Sequence, residues 1–205
     1  MEKIILILME KYMGIYLIRH AQSVGNVNGR TASHAEIELT EYGHEQAEQL
    51  TQTLPLAKRV ITSSFLRTAQ TAAPILKRDQ CKVDVFEIEE FSYLSDQQCK
   101  NTTLEERKPW VDAYWKMADV ELISSKGAES FSQFYYRVMR FKDYLESVKS
   151  EYIEHNLLIF SHGQFLKLFQ MQMKQCREVS PALMTDFRAQ LLTSPLANAA
   201  YFEYK

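Results

Sequence analysis

Short apolar runs alternate with longer amphipathic stretches along this chain. Ile15-Tyr16-Leu17-Ile18 is too brief for a helix and rich in strand formers, so it reads as a buried strand with Arg19 and His20 at its carboxyl end. Val60-Ile61 opens a second strand that runs into Thr62-Ser63-Ser64, and Leu157-Leu158-Ile159-Phe160 forms another, followed by Ser161-His162-Gly163. A weaker alternation from Val83 to Ile88 predicts a strand ending in Glu89-Glu90, and Ala199 to Tyr204 reads as a closing strand. Between them, Ala47, Leu50 and Leu54 share one face of a helix capped by Thr40 and closed before Pro55. Phe65 to about Leu76 reads as a helix that Pro74 should kink or shorten. Phe131, Phe134, Tyr135, Val138, Phe141, Tyr144 and Leu145 recur at helical spacing and predict a long helix to about Val148. A further helix starts at about Gln164. The stretch from about 96 to 127 mixes aromatic and charged residues without a clear period, and is expected to be an irregular or helical insertion over the sheet.

Strands that alternate with helices predict an α/β fold, a three-layer α/β/α sandwich with a mostly parallel central sheet. A chain of 205 residues, 46% hydrophobic, suits one domain, expected over residues 14–205. The first thirteen residues are expected to be a poorly ordered extension. Their apolar run Ile4 to Met9 follows Glu2-Lys3, lacks a small-residue cleavage site and is too short to span a bilayer. The net charge of −2, with basic residues spread along the chain, excludes a surface built for non-specific nucleic-acid binding. Cys81, Cys99 and Cys176 are too far apart for a disulfide framework or a paired zinc motif, which points to reduced thiols in a cytoplasmic protein.

In an open α/β sheet, ligands bind outside the carboxyl ends of the strands. That rule selects Arg19-His20, the turn from Ser63 to Arg67, and Ser161-His162-Gly163 together, with an acidic pair at the end of the third strand. Two arginines and two histidines suit a phosphate dianion. Guanidinium groups bind phosphate oxygens in pairs, imidazoles add donors, and the N–H groups of a helix starting at Gly163 add partial positive charge. Each well-placed donor on a transferring phosphoryl group is worth roughly 3–4 kcal/mol. The flanking arginines should disfavour the imidazolium of His20 and leave it neutral and nucleophilic, whereas a glutamate beside a phosphate dianion should keep its proton more readily.

These residues also form motifs in a familiar order. Arg19-His20-Ala21-Gln22-Ser23 with Asn26, then Leu39-Thr40-Glu41-Tyr42-Gly43 with Gln46-Ala47, then Ser63 through Ala72, then Ser161-His162-Gly163, resemble the histidine phosphatase (phosphoglycerate-mutase-like) superfamily from about Gly14 to Tyr204. The resemblance implies that His20 attacks phosphorus to give a phosphohistidine, that Arg19, Arg67 and His162 hold the phosphoryl oxygens, and that Ser23 and Asn26 complete the pocket. It also implies a carboxylate that protonates the leaving oxygen and then activates water. Glu90 is chosen for it over the neighbouring Glu87 and Glu89. Ala21 stands where the family signature has glycine, which is tolerable if the backbone there needs no positive φ.

The implied activity is a metal-independent, cofactor-free phosphatase acting on a small phosphorylated metabolite, a phosphomonoester. Its rivals are a phosphoglycerate-type mutase, a protein phosphohistidine phosphatase and a non-catalytic phospho-ligand binder. Plainer readings are expected elsewhere. His34, His44 and His155 are assigned to the surface, Arg107-Lys108-Pro109-Trp110 to a solvated turn with a buried tryptophan in preference to a substrate-facing basic and aromatic patch, and Ser130 to a helix cap.

Overall fold

Alternation along the strands sends neighbouring side chains into two separate cores. The computed structural model describes residues 14–205; the expected extension over the first thirteen lies outside them. Strands β1 (Gly14–Arg19), β2 (Arg59–Thr62), β3 (Lys82–Val85), β4 (Asn156–Ser161) and β5 (Tyr201–Tyr204) form one sheet in the order β3-β2-β4-β1-β5. The first four are parallel and β5 runs antiparallel along β1. Ile15, Leu17, Ile61, Leu157 and Ile159 point to one face. Tyr16, Ile18, Val60, Leu158 and Phe160 point to the other.

Helices α1 (Glu41–Thr53) and α2 (Leu66–Asp79) cover the second of these faces through Leu50, Ala72 and Ile75. The first is covered by α5 (Phe131–Val148), α6 (Gly163–Lys174) and α7 (Pro181–Thr193). The expected three-layer α/β/α architecture is therefore present. Its larger core is aromatic: Phe134 is fully buried, stacks on Phe91 with ring centroids 4.5 Å apart, and meets Phe165 and Phe187.

Local signals set the element ends. The Thr40 hydroxyl accepts the Gly43 N–H at 3.0 Å and starts α1, and Ser130 caps α5 in the same way. Gly43 also lets α1 close against the loop after β1, since a Cβ there would lie 2.0 Å from the Gln22 carbonyl oxygen.

Two expectations change, one is made definite and one helix is added. The helix containing Pro74 is not shortened: α2 runs on to Asp79, because the ring removes one internal donor in an element otherwise held by packing. The third strand stops at Val85 rather than Ile88. The chain then turns, with Phe86 N–H bonded to Thr62 O and Ile88 N–H to Phe86 O, and Ile88 drops into the core. The stretch 96–127 contains two helices, α3 (Asp96–Cys99) and α4 (Leu104–Met117), the latter opened by a Thr103/Glu106 capping box. Helix α7 was not expected at all, although Ser180 caps it and Pro181 occupies its first turn.

Replacing Phe134 with alanine should lower unfolding stability by about 3–5 kcal/mol in urea titration. A loss below about 1 kcal/mol would contradict the aromatic core described here.

Candidate active site

Strand register builds the site. In the β1–β4 ladder Arg19 is opposite Ser161, and His20 N–H continues the ladder by donating to Ser161 O at 2.9 Å. The residues that follow, His20 and His162, are thereby brought side by side, with ring centroids 5.1 Å apart. On the other side of β4, Thr62 pairs with Phe160, so the turn after β2 delivers Ser63 and Arg67 to the same edge. Ser161 also donates its hydroxyl to Ile88 O at 2.6 Å, fixing the segment that carries Glu89 and Glu90 beside the strand ends. Of these groups Arg19, His20, Arg67 and Glu90 line a cavity of about 360 Å³, and His162 packs against His20 at its wall.

His20 is almost wholly buried. Its Nδ1 lies 2.7 Å from the Ala21 carbonyl oxygen and its Nε2 lies 3.2 Å from Arg67 Nε. A carbonyl can only accept and a guanidinium only donate, so the proton sits on Nδ1 and the Nε2 lone pair accepts the Arg67 Nε–H. Burial holds the imidazole pKa well below 6.5, and the Arg67 and Arg19 charges push it further down. The two arginines have the expected effect, but burial is the larger cause. His162 is buried and depressed in the same way, again chiefly by burial, then by Arg67. Its Nε2 meets the Ser63 hydroxyl at 2.7 Å, and its Nδ1 is buried without a partner.

The arginines are held from behind. Arg67 Nη1 donates to the His34 carbonyl at 2.7 Å, its guanidinium lies over the Phe65 ring, and burial with Arg19 nearby lowers its pKa to about 10, so it stays charged at neutral pH. Arg19 donates to the Leu196 carbonyl, while its Nε is buried without a partner. Gly163 opens α6 against this guanidinium: a Cβ there would stand 3.1 Å from Arg19 Nε and 3.2 Å from Cζ.

The three glutamates separate cleanly. Glu87 is exposed and paired with Arg140. Glu89 is bound by the Ser64 N–H and hydroxyl and faces Arg137. Glu90 lines the cavity and accepts the Gln164 N–H at 2.8 Å, in the first turn of α6, where a carboxylate is favoured by the helix dipole. Ser23 and Asn26 also line the cavity, but Ser23 is turned inward: its N–H and hydroxyl both donate to Asn26 Oδ1 at 3.0 and 2.9 Å. Asn198 donates to the same oxygen at 3.1 Å. Three donors fix that amide, so Asn26 offers its Nδ2 donors rather than its oxygen. Ala21 is not among the residues with positive φ, and its N–H is bound by Thr71 Oγ1.

Two surface assignments are corrected. His34 lines the cavity, because α3 swings Asp96 to within 3.5 Å of its ring and the chain between β1 and α1 folds over the site. Arg107-Lys108-Pro109-Trp110 is helical, within α4. Trp110 is exposed, and it is Arg107 that is buried at the cavity wall, bound by Thr31, Cys99 and Thr102. His44 and His155 do not line the cavity. Two contributors went unread in the sequence: Asn198, which also donates to His20 O at 3.0 Å, and Arg188 of α7, which lines the cavity. Among the described residues no group of histidine, cysteine or acidic side chains could hold a metal ion, and no helix is long and apolar enough to cross a membrane.

A buried neutral histidine ringed by guanidiniums, with a carboxylate on the opposite wall, is a site for phosphoryl groups. Comparison with known proteins gives the same class: residues 15–195 match the histidine phosphatase superfamily (branch 1). The chain belongs to that superfamily and is a phosphatase. Over 162 residues it is 32% identical to the adenosylcobalamin/alpha-ribazole phosphatase of Salmonella typhimurium, covering 76% of this chain and 77% of that protein. Over 174 residues it is 26% identical to the metal-independent phosphoserine phosphatase of Arabidopsis thaliana, covering 82% of this chain and 72% of that one. The crystal structure of the alpha-ribazole phosphatase of Shigella flexneri has the same fold, with a TM-score of 0.67 at 24% identity over 91% of this chain and 87% of that one.

Two outcomes follow from this geometry. Gly163→Ala should displace the Arg19 guanidinium and lower kcat/KM on p-nitrophenyl phosphate roughly tenfold with an unchanged urea midpoint; unaltered kinetics would show that Arg19 is not held by this contact. The two depressed histidines also make the fold acid-sensitive. As pH falls through about 6.5 the unfolded chain takes up protons on them and the folded chain does not, so the stability they contribute is present above that pH and lost below it. The urea midpoint should fall between pH 7.5 and 5.5, and fall less in a His20→Gln/His162→Gln variant. Equal slopes would contradict the depressed values.

Proposed function

We propose that the protein hydrolyses small phosphomonoesters in two steps through a phosphohistidine on His20. The observation that carries this reading is the protonation of His20: its Nδ1–H is bound to Ala21 O, so the Nε2 lone pair faces the ring of cations. In the first step Nε2 attacks phosphorus. The N–P bond forms as the P–O bond to the organic group breaks, and the Glu90 carboxyl gives its proton to the departing oxygen. In the second step the Glu90 carboxylate takes a proton from water, the water oxygen attacks phosphorus and the N–P bond breaks. Inorganic phosphate leaves, His20 returns to neutrality and Glu90 is protonated again.

The remaining groups hold charge. On substrate binding, Arg67 Nε–H exchanges His20 Nε2 for a phosphoryl oxygen, while Arg19 Nε and His162 Nδ1, both buried without partners, gain one. Asn26 Nδ2 and the Gly163 N–H supply further donors, and Ser23 orients Asn26 instead of touching phosphate. The cavity volume suits a small metabolite. Relatives named for phosphoserine and for adenosylcobalamin/alpha-ribazole support the same substrate class. Three cysteines without disulfides support a cytoplasmic location.

His20→Ala should abolish turnover of p-nitrophenyl phosphate. Glu90→Gln should separate the two steps. An alkyl phosphate needs the acid in step one and should lose about 10²–10⁴ in rate. p-Nitrophenolate leaves without help, so that ester should give a burst stoichiometric with enzyme and then slow turnover. Undiminished activity of His20→Ala would overturn the nucleophile, and equal loss on both esters with no burst would remove Glu90 from the acid–base role.

A further inference from the structure

Much of the cavity wall is apolar. Phe65, Phe91, Tyr93, Leu104, Leu191 and Leu196 all contribute to it. One charged group on this wall has no counterpart. Arg188, on α7, lines the cavity with its guanidinium over the Trp115 ring, 5.2 Å from the centroid, and has neither a hydrogen bond nor an ion pair among the described residues. The acidic residue nearest to it on its own helix, Asp186, is occupied by Arg177 at 2.6 Å. The other arginines of the cavity are all engaged: Arg19 and Arg67 at the phosphate end, and Arg107 with the Thr31 and Thr102 hydroxyls and the carbonyls of Cys99 and Thr102.

Charge leads to the same residue. Four guanidiniums line the cavity against one acidic residue, Glu90, so positive charge is in excess by at least three. A phosphomonoester dianion neutralises two of these charges and leaves at least one. A guanidinium seated over an indole face, with no other partner, keeps N–H donors available for a carboxylate, which a guanidinium can pair with through two parallel hydrogen bonds. Apolar surroundings strengthen such a pair, provided that the partner is also bound there.

We propose that Arg188 is a specificity-determining residue that binds a carboxylate on the organic part of the substrate. The preferred substrate is then a phosphomonoester whose phosphate and carboxylate are joined by an apolar spacer that lies along the aromatic wall. This assignment rests on the phosphatase reading above and adds the second anionic group to it.

The test compares 4-carboxyphenyl phosphate with 4-carbamoylphenyl phosphate, a neutral ester of similar shape and leaving group, in wild type, Arg188→Gln and Arg188→Lys. Wild type should favour the carboxylate ester by about tenfold or more in kcat/KM, mostly through KM. Arg188→Gln should abolish the preference while leaving the carbamoyl ester within about twofold, and Arg188→Lys should restore part of it. Absence of a preference in wild type, or an equal loss on both esters in Arg188→Gln, would overturn the proposal. Calorimetry with 4-carboxybenzylphosphonate and benzylphosphonate gives a readout independent of turnover. Tighter binding of the carboxylated phosphonate by wild type, lost in Arg188→Gln, would support the carboxylate site even if neither ester were hydrolysed and the phosphatase reading failed. Equal binding of the two phosphonates by wild type would refute it.

Discussion

Everything at this site depends on holding an imidazole uncharged among cations. His20 achieves this through burial first and through repulsion from Arg67 and Arg19 second. The cost of such an arrangement is that neither side can be hydrated in the ordinary way. The guanidiniums are therefore satisfied from behind by main-chain carbonyls of His34 and Leu196, and the His20 Nδ1 proton by the carbonyl of its neighbour Ala21. The Nε2 lone pair is met only by the Arg67 Nε–H, and two buried nitrogens, Arg19 Nε and His162 Nδ1, have no partner. These are the groups that the proposed phosphoryl group would engage.

The fold supplies the precision that this balance requires. Parallel register sets His20 beside His162, the ladder continues one residue past β1 to clamp the His20 backbone, and a hydroxyl of β4 pins the segment bearing Glu90. Glu90 is in turn held at the start of α6, where Gly163 leaves room for Arg19. The same few residues at the end of β4 thus position a histidine, an arginine and a carboxylate. Small shifts there are costly because the three groups share their supports.

Much of this was legible from the sequence where local and global signals agree. The helix Phe131–Val148 and the strands β1 and β4 were read because unbroken apolar patterns carry their own period, and the clustering of Arg19, His20, Arg67, His162 and Glu90 followed from the position of each at a strand end. Other features were hidden because only tertiary contacts define them. The sequence pattern over Val83–Ile88 does not show that Ile88 leaves the sheet for the core, and Arg107 reads as an ordinary surface arginine until Thr31 and Thr102 fold around it. Helix α7 carried a usable cap at Ser180-Pro181 that went unread, and with it went Arg188. Ser23 lines the cavity, but its hydroxyl direction is set by Asn26, a detail that no motif encodes.

The most direct test of the central claim is to mix enzyme with labelled substrate, quench within milliseconds and map the phosphate by mass spectrometry. An acid-labile, base-stable phosphoryl group on the peptide containing His20, formed and lost at rates that match turnover, is the predicted result. Phosphate on a different residue, or full turnover with no phosphoenzyme at any time point, would contradict it.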